Sequence, residues 1–469
     1  VARLAVNRHR FKGADVVPYL SRNYPYGDLL TIVLGYTGRL YASDIDRVDE
    51  GNYRGTRNIV KVCVEQYREK ELHGTSGFEQ VETNASGRVL KVLERQDAIP
   101  GSDLILSIDV AVQRAAWDAM GERTGSVVAI DPADGSVIAL VSKPAYDPNA
   151  FVHGISQQTY NEILNTPGRP LFNRALQGGY EPGSTMKPFV GLGGLEYGLV
   201  TPRTRVFSNG EFYIEGYSRP YRDWKDGGHG AVTMVSALEQ SVNTYFYQLA
   251  MDMGIDRMHA YLSQFGFGAT TGIDINGEGG GLLPSRAWKE MAHNEPWYPG
   301  ETVIAGIGQG FNVVTPLQLA NAVATLVNGG TRFAPRLLRA IKPAGNSKAR
   351  QVEIPVTFQV PVKDQRTKEF SQIIDIKDGM MVKRFPISRN ERDSLGLERL
   401  TESVRVQIVE FIQVVPDQII VITMFHVRVI QANMFYPRYL MESFCKTDCI
   451  GLTTCILFRE FLQLPQENG

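Results

Sequence analysis

Ser126-Val127-Val128-Ala129-Ile130-Asp131, then Pro132-Ala133-Asp134-Gly135, then Ser136-Val137-Ile138-Ala139-Leu140-Val141-Ser142, sets two apolar, β-branched runs around a four-residue turn. This pattern predicts an antiparallel hairpin forming the first two strands of a sheet. Helical periodicity follows, around Pro188 to Tyr197, Ser236 to Met253, Ile255 to Phe265 and Pro316 to Val327. Strands that come first and helices that come afterwards favour an α+β domain over alternating βαβ units.

Upstream of the hairpin, Pro100-Gly101-Ser102-Asp103 reads as a turn, Leu104 to Asp109 as a strand and Val110 to Met120 as a helix. From Val1 to about Leu106 the chain mixes aromatic, glycine and charged residues, as in Tyr24-Pro25-Tyr26-Gly27-Asp28 and Leu34-Gly35-Tyr36-Thr37-Gly38. Such segments predict short strands and turns around modest helices. The expected division is a first domain over 1–108, a second over 109–350 and a third region over 351–469. In that last region Val404 to Val414 and Gln418 to Ile430 are β-prone runs on either side of Pro416-Asp417. Phe444 to Phe458 gathers three cysteines without a legible architecture.

The chain has 469 residues, 43% of them hydrophobic, enough for two or three domains and at least one large core. Lysine and arginine number 49 against 50 aspartates and glutamates, so the whole-chain charge gives no reason to expect a nucleic-acid partner. Cys63, Cys445, Cys449 and Cys455 are too few and too crowded toward one end for a disulfide framework. No run of about twenty apolar residues is present, and Val1 to Arg10 is too charged for a signal peptide. With no initiator methionine, the chain is expected to be a piece of a longer protein.

The residues that point to chemistry lie in Gly178-Gly179-Tyr180-Glu181-Pro182-Gly183-Ser184-Thr185-Met186-Lys187-Pro188-Phe189. Gly and Pro before Ser184 break the preceding structure, and Pro188 is tolerable only in the opening turn of a helix. Positions i and i+3 share a helix face, so the Lys187 amine is expected to reach the Ser184 hydroxyl. A nucleophile and a base one turn apart at a helix start also face free N–H donors suited to an oxyanion. Ser-x-x-Lys alone is common, and taken in isolation it reads more readily as a helix cap with a solvated lysine. Ser241-Val242-Asn243 follows downstream and supplies the Ser-x-Asn triplet that accompanies Ser-x-x-Lys in penicillin-binding proteins and β-lactamases.

Longer segments carry a resemblance. Asn84-Ala85-Ser86-Gly87-Arg88-Val89, Val128-Ala129-Ile130-Asp131-Pro132, Asp147-Pro148-Asn149, Leu171-Phe172-Asn173-Arg174, Trp297-Tyr298-Pro299-Gly300-Glu301-Thr302 and Gly306-Ile307-Gly308-Gln309-Gly310 through Thr315-Pro316-Leu317-Gln318 are similar to class B penicillin-binding proteins, within them the elongation-type penicillin-binding protein 2 group. The resemblance covers about the first 340 residues. It implies a penicillin-binding transpeptidase domain, an antiparallel sheet flanked by helices, after an N-terminal pedestal of short strands and helices.

The implied activity is D,D-transpeptidation of peptidoglycan stem peptides during cell-wall elongation. Ser184 would attack the penultimate D-alanine carbonyl and form an acyl-enzyme. Lys187, made neutral by partial burial and nearby positive potential, would take the proton. The resemblance gives Ser241 the role of a relay toward the leaving nitrogen and Asn243 that of holding the substrate amide. It also implies β-lactams as mimics of the substrate, a membrane glycosyltransferase as partner, no nucleic acid, and a place on the periplasmic side of the bacterial inner membrane through an N-terminal anchor.

Two departures stand against the pattern. No Lys-[Ser/Thr]-Gly triplet occurs; Lys446-Thr447-Asp448 comes nearest, without the glycine that lets a substrate backbone approach. A catalytically impaired scaffold is therefore the alternative reading, while a β-lactamase or β-lactam sensor would not need the long N-terminal part. Asp223 and His229 resemble part of a segment that carries zinc ligands in some relatives, but Ser208 stands near where another acid would lie and Val242 holds the middle of the triplet. Two ligands rarely hold zinc. With Asp226 as the only further candidate, a polar loop near the cleft is expected, and no cofactor.

Overall fold

The structure, a computed structural model, describes residues 6, 7, 10, 20–85, 89–345, 348–353, 355–360, 412–415 and 419–422. In the N-terminal part, strand Thr37–Arg39 pairs antiparallel with Asn58–Val60, and Phe78–Thr83 with Val89–Gln96. Between them lie short helices such as Thr31–Leu34 and Cys63–Tyr67. Helices this short depend on tertiary contacts, supplied here by buried Val33, Ile59 and Val64. Buried carboxylates also tie the segments: Asp44 pairs with Arg47 and Lys61, and Glu65 pairs with Arg22 and accepts from the Tyr24 hydroxyl at 2.7 Å.

Strand Asp103–Leu106 pairs antiparallel with Leu338–Lys342, so the segment entering the second part is clasped by the one leaving it. Helix Val110–Met120 starts where expected because Asp109 caps it, accepting from Ala111 N at 2.8 Å and Val112 N at 3.2 Å. From that helix the buried Gln113 amide bonds Leu29 O, Leu140 O and Leu140 N, stitching the N-terminal part to the central hairpin. The hairpin is Gly125–Ile130 against Val137–Lys143, antiparallel, with Ala129 opposite Ala139. Every residue of Gly125–Ile130 is buried, which is why its sequence is a continuous apolar run instead of an alternating one.

Helices Lys187–Glu196, Asn243–Leu262 and Pro316–Val327 form the main core with Phe189, Phe246 and Phe265. The first two approach closely at Gly194, where a Cβ would lie 2.8 Å from the Leu249 side chain. Pro316–Val327 is buried at every position and opens on a capping box between Thr315 and Gln318.

The helical stretch expected over Ser236 to Met253 is instead two helices, Met234–Glu239 and Asn243–Leu262. Ser241 between them takes φ +54°, a left-handed conformation that no helical periodicity announces. Gly254, at φ +74°, makes a second break where the apolar period shifts between Met253 and Ile255. Farther on, Ile412–Val415, which runs one residue past the first β-prone run, pairs antiparallel with Ile419–Ile422 inside the second, and the second strand lies beside Gly125–Ile130. Lys446-Thr447-Asp448 and Cys445, Cys449 and Cys455 lie outside the described residues.

Candidate active site

Gly183 to Met186 forms a single 3-10 turn that runs directly into helix Lys187–Glu196, placing Pro188 in the first helical turn. The turn is held from behind: Gly183 N–H donates to Gly308 O at 2.8 Å. A Cβ on Gly308 would sit 2.2 Å from the Gly183 oxygen, so only glycine permits this approach. Ser184 stands exposed at the surface of the turn, whereas Lys187 is 1% exposed.

Lys187 Nζ donates to Ser241 O at 2.8 Å, to Ser241 Oγ at 3.1 Å and to Asn243 Oδ1 at 2.7 Å, which occupies all three of its protons. Ser241 Oγ in turn donates to Ser184 Oγ at 2.9 Å. The four residues picked out in the sequence, Ser184, Lys187, Ser241 and Asn243, therefore meet in one connected cluster. One expectation needs correcting: the amine is not bonded to the Ser184 hydroxyl. The Ser241 hydroxyl stands between them, because burial draws the ammonium inward to carbonyl and amide acceptors that the exposed Ser184 does not offer.

Burial lowers the Lys187 pKa from 10.5 to about 8. The sequence reading assigned part of this effect to nearby positive potential. The charge that acts is instead the Asp223 carboxylate, which pushes the value up, so the depression comes from desolvation alone. Phe246, whose ring centroid lies 5.6 Å from Nζ, supplies part of the apolar wall. Chemically, an amine whose pKa is lowered to about 8, a relay hydroxyl and an exposed hydroxyl in series can, when the amine is neutral, move a proton from the outer oxygen to the buried nitrogen.

Asp223 and His229 lie side by side, His229 Nε2 3.4 Å from Asp223 Oδ1. Asp226 is exposed and joins no such group; among the described residues no three His, Cys, Asp or Glu side chains gather. Asp223 Oδ2 accepts from Thr244 N and Oγ1, and Oδ1 from Trp224 N. Two ligands rarely hold zinc, and here the Asp223 carboxylate already accepts three hydrogen bonds. Trp224, Thr244 and Gly308 escaped the sequence reading as functional residues, since nothing in a linear pattern marks which carbonyl an indole or a backbone amide will meet.

Residues 125–383 match the family described as Penicillin binding protein transpeptidase domain, and residues 1–106 match Penicillin-binding Protein dimerisation domain. The chain belongs to the penicillin-binding protein transpeptidase family. Peptidoglycan D,D-transpeptidase MrdA of Escherichia coli K12 is 43% identical over 349 residues, 74% of this chain and 55% of that protein. Penicillin-binding protein 2 of Pseudomonas aeruginosa, solved in complex with WCK 5153, is 41% identical with a TM-score of 0.66, covering 77% of this chain and 75% of that one. A chain from a peptidoglycan synthase complex, described as coordinating polymerization and crosslinking, is 29% identical with a TM-score of 0.64, over 87% of this chain and 70% of its own. The chain spans about half the length of the curated relatives it matches. The expected pedestal-plus-transpeptidase α+β fold is borne out by these likenesses.

Proposed function

We propose that this chain carries the acylating centre of a peptidoglycan D,D-transpeptidase of the elongation type, with Ser184 as nucleophile and Lys187 as base. The observation that carries the reading is the hydroxyl bridge of 2.9 Å from Ser241 to Ser184, joined to a buried amine with a pKa of about 8. With Lys187 neutral, the bridge reverses: Ser184 donates to Ser241, and Ser241 donates to the amine. Ser184 Oγ then bonds to the penultimate D-alanine carbonyl carbon while its proton passes through Ser241 to Lys187. The scissile C–N bond breaks, the proton returns by the same path to the leaving nitrogen, and terminal D-alanine departs. An amine from a neighbouring stem peptide attacks the ester, forms the cross-link and restores the Ser184 proton. Asn243, its Oδ1 committed to Lys187, keeps its Nδ2 for the substrate carbonyl.

β-Lactams, as mimics of the D-alanyl-D-alanine end, are the expected inhibitors. The likeness to MrdA and to a chain of a peptidoglycan synthase complex supports a membrane glycosyltransferase as partner. It supports equally a site of action on the periplasmic side of the inner membrane, where the polymer is cross-linked. No helix among the described residues is long and apolar enough to cross a membrane. The decisive experiment is labelling with fluorescent penicillin. The chain is expected to take up label and a Ser184→Ala variant none; a chain that stays dark would leave the scaffold role, in keeping with the missing Lys-[Ser/Thr]-Gly triplet.

A further inference from the structure

Trp224 is 63% exposed, yet its indole N–H is turned inward. Nε1 donates to two backbone carbonyls, Gln240 O and Ser241 O, each at 3.2 Å. Ser241 O is the same atom that accepts from Lys187 Nζ at 2.8 Å. The residue carrying it sits at φ +54°, a conformation a serine keeps only where its surroundings impose it. Two donors converging on one carbonyl are such an imposition.

The preceding residue secures the other side of the turn. Asp223 Oδ2 accepts from Thr244 N at 2.9 Å and from Thr244 Oγ1 at 3.1 Å, and Oδ1 accepts from Trp224 N at 2.8 Å. Thr244 lies in the first turn of helix Asn243–Leu262, so the carboxylate satisfies an amide left without an intrahelical acceptor and complements the positive helix end. Val242, at the helix N-cap position, makes no side-chain cap of its own. Ser208 Oγ, 2.7 Å from Thr244 Oγ1 and free to donate to it, closes the back of this node.

We propose that Asp223 and Trp224 form a brace that holds the left-handed Ser241 turn against Lys187, making both of them positioning residues for acylation of Ser184. The proposal rests on the transpeptidase reading above. Without the brace, the Ser241 turn is free to relax toward an ordinary backbone conformation, carrying its hydroxyl out of line between Ser184 and Lys187. A displacement of that kind costs rate and leaves ligand affinity alone.

The test uses the full chain and fluorescent penicillin over a range of concentrations, which separates the maximal acylation rate from the half-saturating concentration. Trp224→Phe keeps the ring and removes only the N–H. It is expected to lower the maximal rate about tenfold, the worth of one hydrogen bond, and to move half-saturation less than about twofold. Asp223→Ala, read above about pH 9 where Lys187 is neutral with or without the carboxylate, is expected to behave in the same way, and Asp223→Asn, whose single oxygen can serve Thr244 but not also Trp224 N, to recover part of the rate. A Trp224→Phe chain that acylates at the unsubstituted rate, or whose defect lies in half-saturation, overturns the brace. If Asp223→Ala does not fold, the exposed Trp224→Phe decides alone. An unsubstituted chain that never labels defeats the transpeptidase reading, an outcome distinct from failure of the brace.

Discussion

Raising the pH is expected to switch on Ser184 acylation with a midpoint near the Lys187 pKa of about 8. Only the neutral amine can take the serine proton. At pH 7 a group with that pKa is neutral in about one molecule in ten, and at pH 9 in about nine of ten, so the rate should rise about tenfold between them. A solvated lysine at its ordinary value would be neutral in only about one molecule in three thousand at pH 7, and its rate would still be climbing steeply at pH 9. The sign for stability runs the other way from a salt-bridged lysine. Because the folded pKa lies below the unfolded one, burying Lys187 costs about 3 kcal/mol below pH 8, and the cost fades as pH rises toward the unfolded value of 10.5. The assay is the initial rate of labelling by fluorescent penicillin at fixed low concentration from about pH 6 to about pH 10, with labelling of the denatured chain subtracted. A rate flat across this range, or one whose midpoint lies near 10.5, would refute the argument that burial prepares Lys187 as the base.

Ser241→Ala removes the bridge between Ser184 and Lys187 while leaving the Ser241 carbonyl in place. Labelling should slow by about 100-fold, the low end for a lost proton-transfer group, with thermal stability little changed; an equal rate would show that the amine reaches Ser184 unaided. Gly308→Ala places a Cβ 2.2 Å from Gly183 O at a residue with φ +73°. The turn carrying Ser184 must then move, and both the melting temperature and the labelling rate should fall, whereas a silent substitution would mean the Gly183 to Gly308 contact does not hold the nucleophile.

Much of the fold was legible because it depends on local patterns. The two apolar runs around Pro132 to Gly135 and the helical periodicity of Pro316 to Val327 are spelled out over neighbouring residues, whereas the Asp109 cap and the Thr315 to Gln318 box that start two of the helices emerged with the structure. The break at Ser241 was hidden for the opposite reason: its left-handed backbone is held by Trp224 and Lys187, neither of which is near it in sequence. Similarly, the pairing of Asp103–Leu106 with Leu338–Lys342 joins strands whose patterns give no clue to each other.

For the site, Ser184 and Lys187 one turn apart, joined by the Ser241-Val242-Asn243 triplet and the longer segments of family resemblance, named the chemistry; the spacing of the pair alone fits a helix cap as well. Which acceptor the amine would choose was beyond any spacing rule. Burial settled it, by drawing the charged group to Ser241 and Asn243 and leaving the Ser184 hydroxyl to be reached through an intermediary. Composition and order along the chain determine what groups are available; the desolvation that tunes the lysine and aligns the relay exists only once distant segments have closed around it.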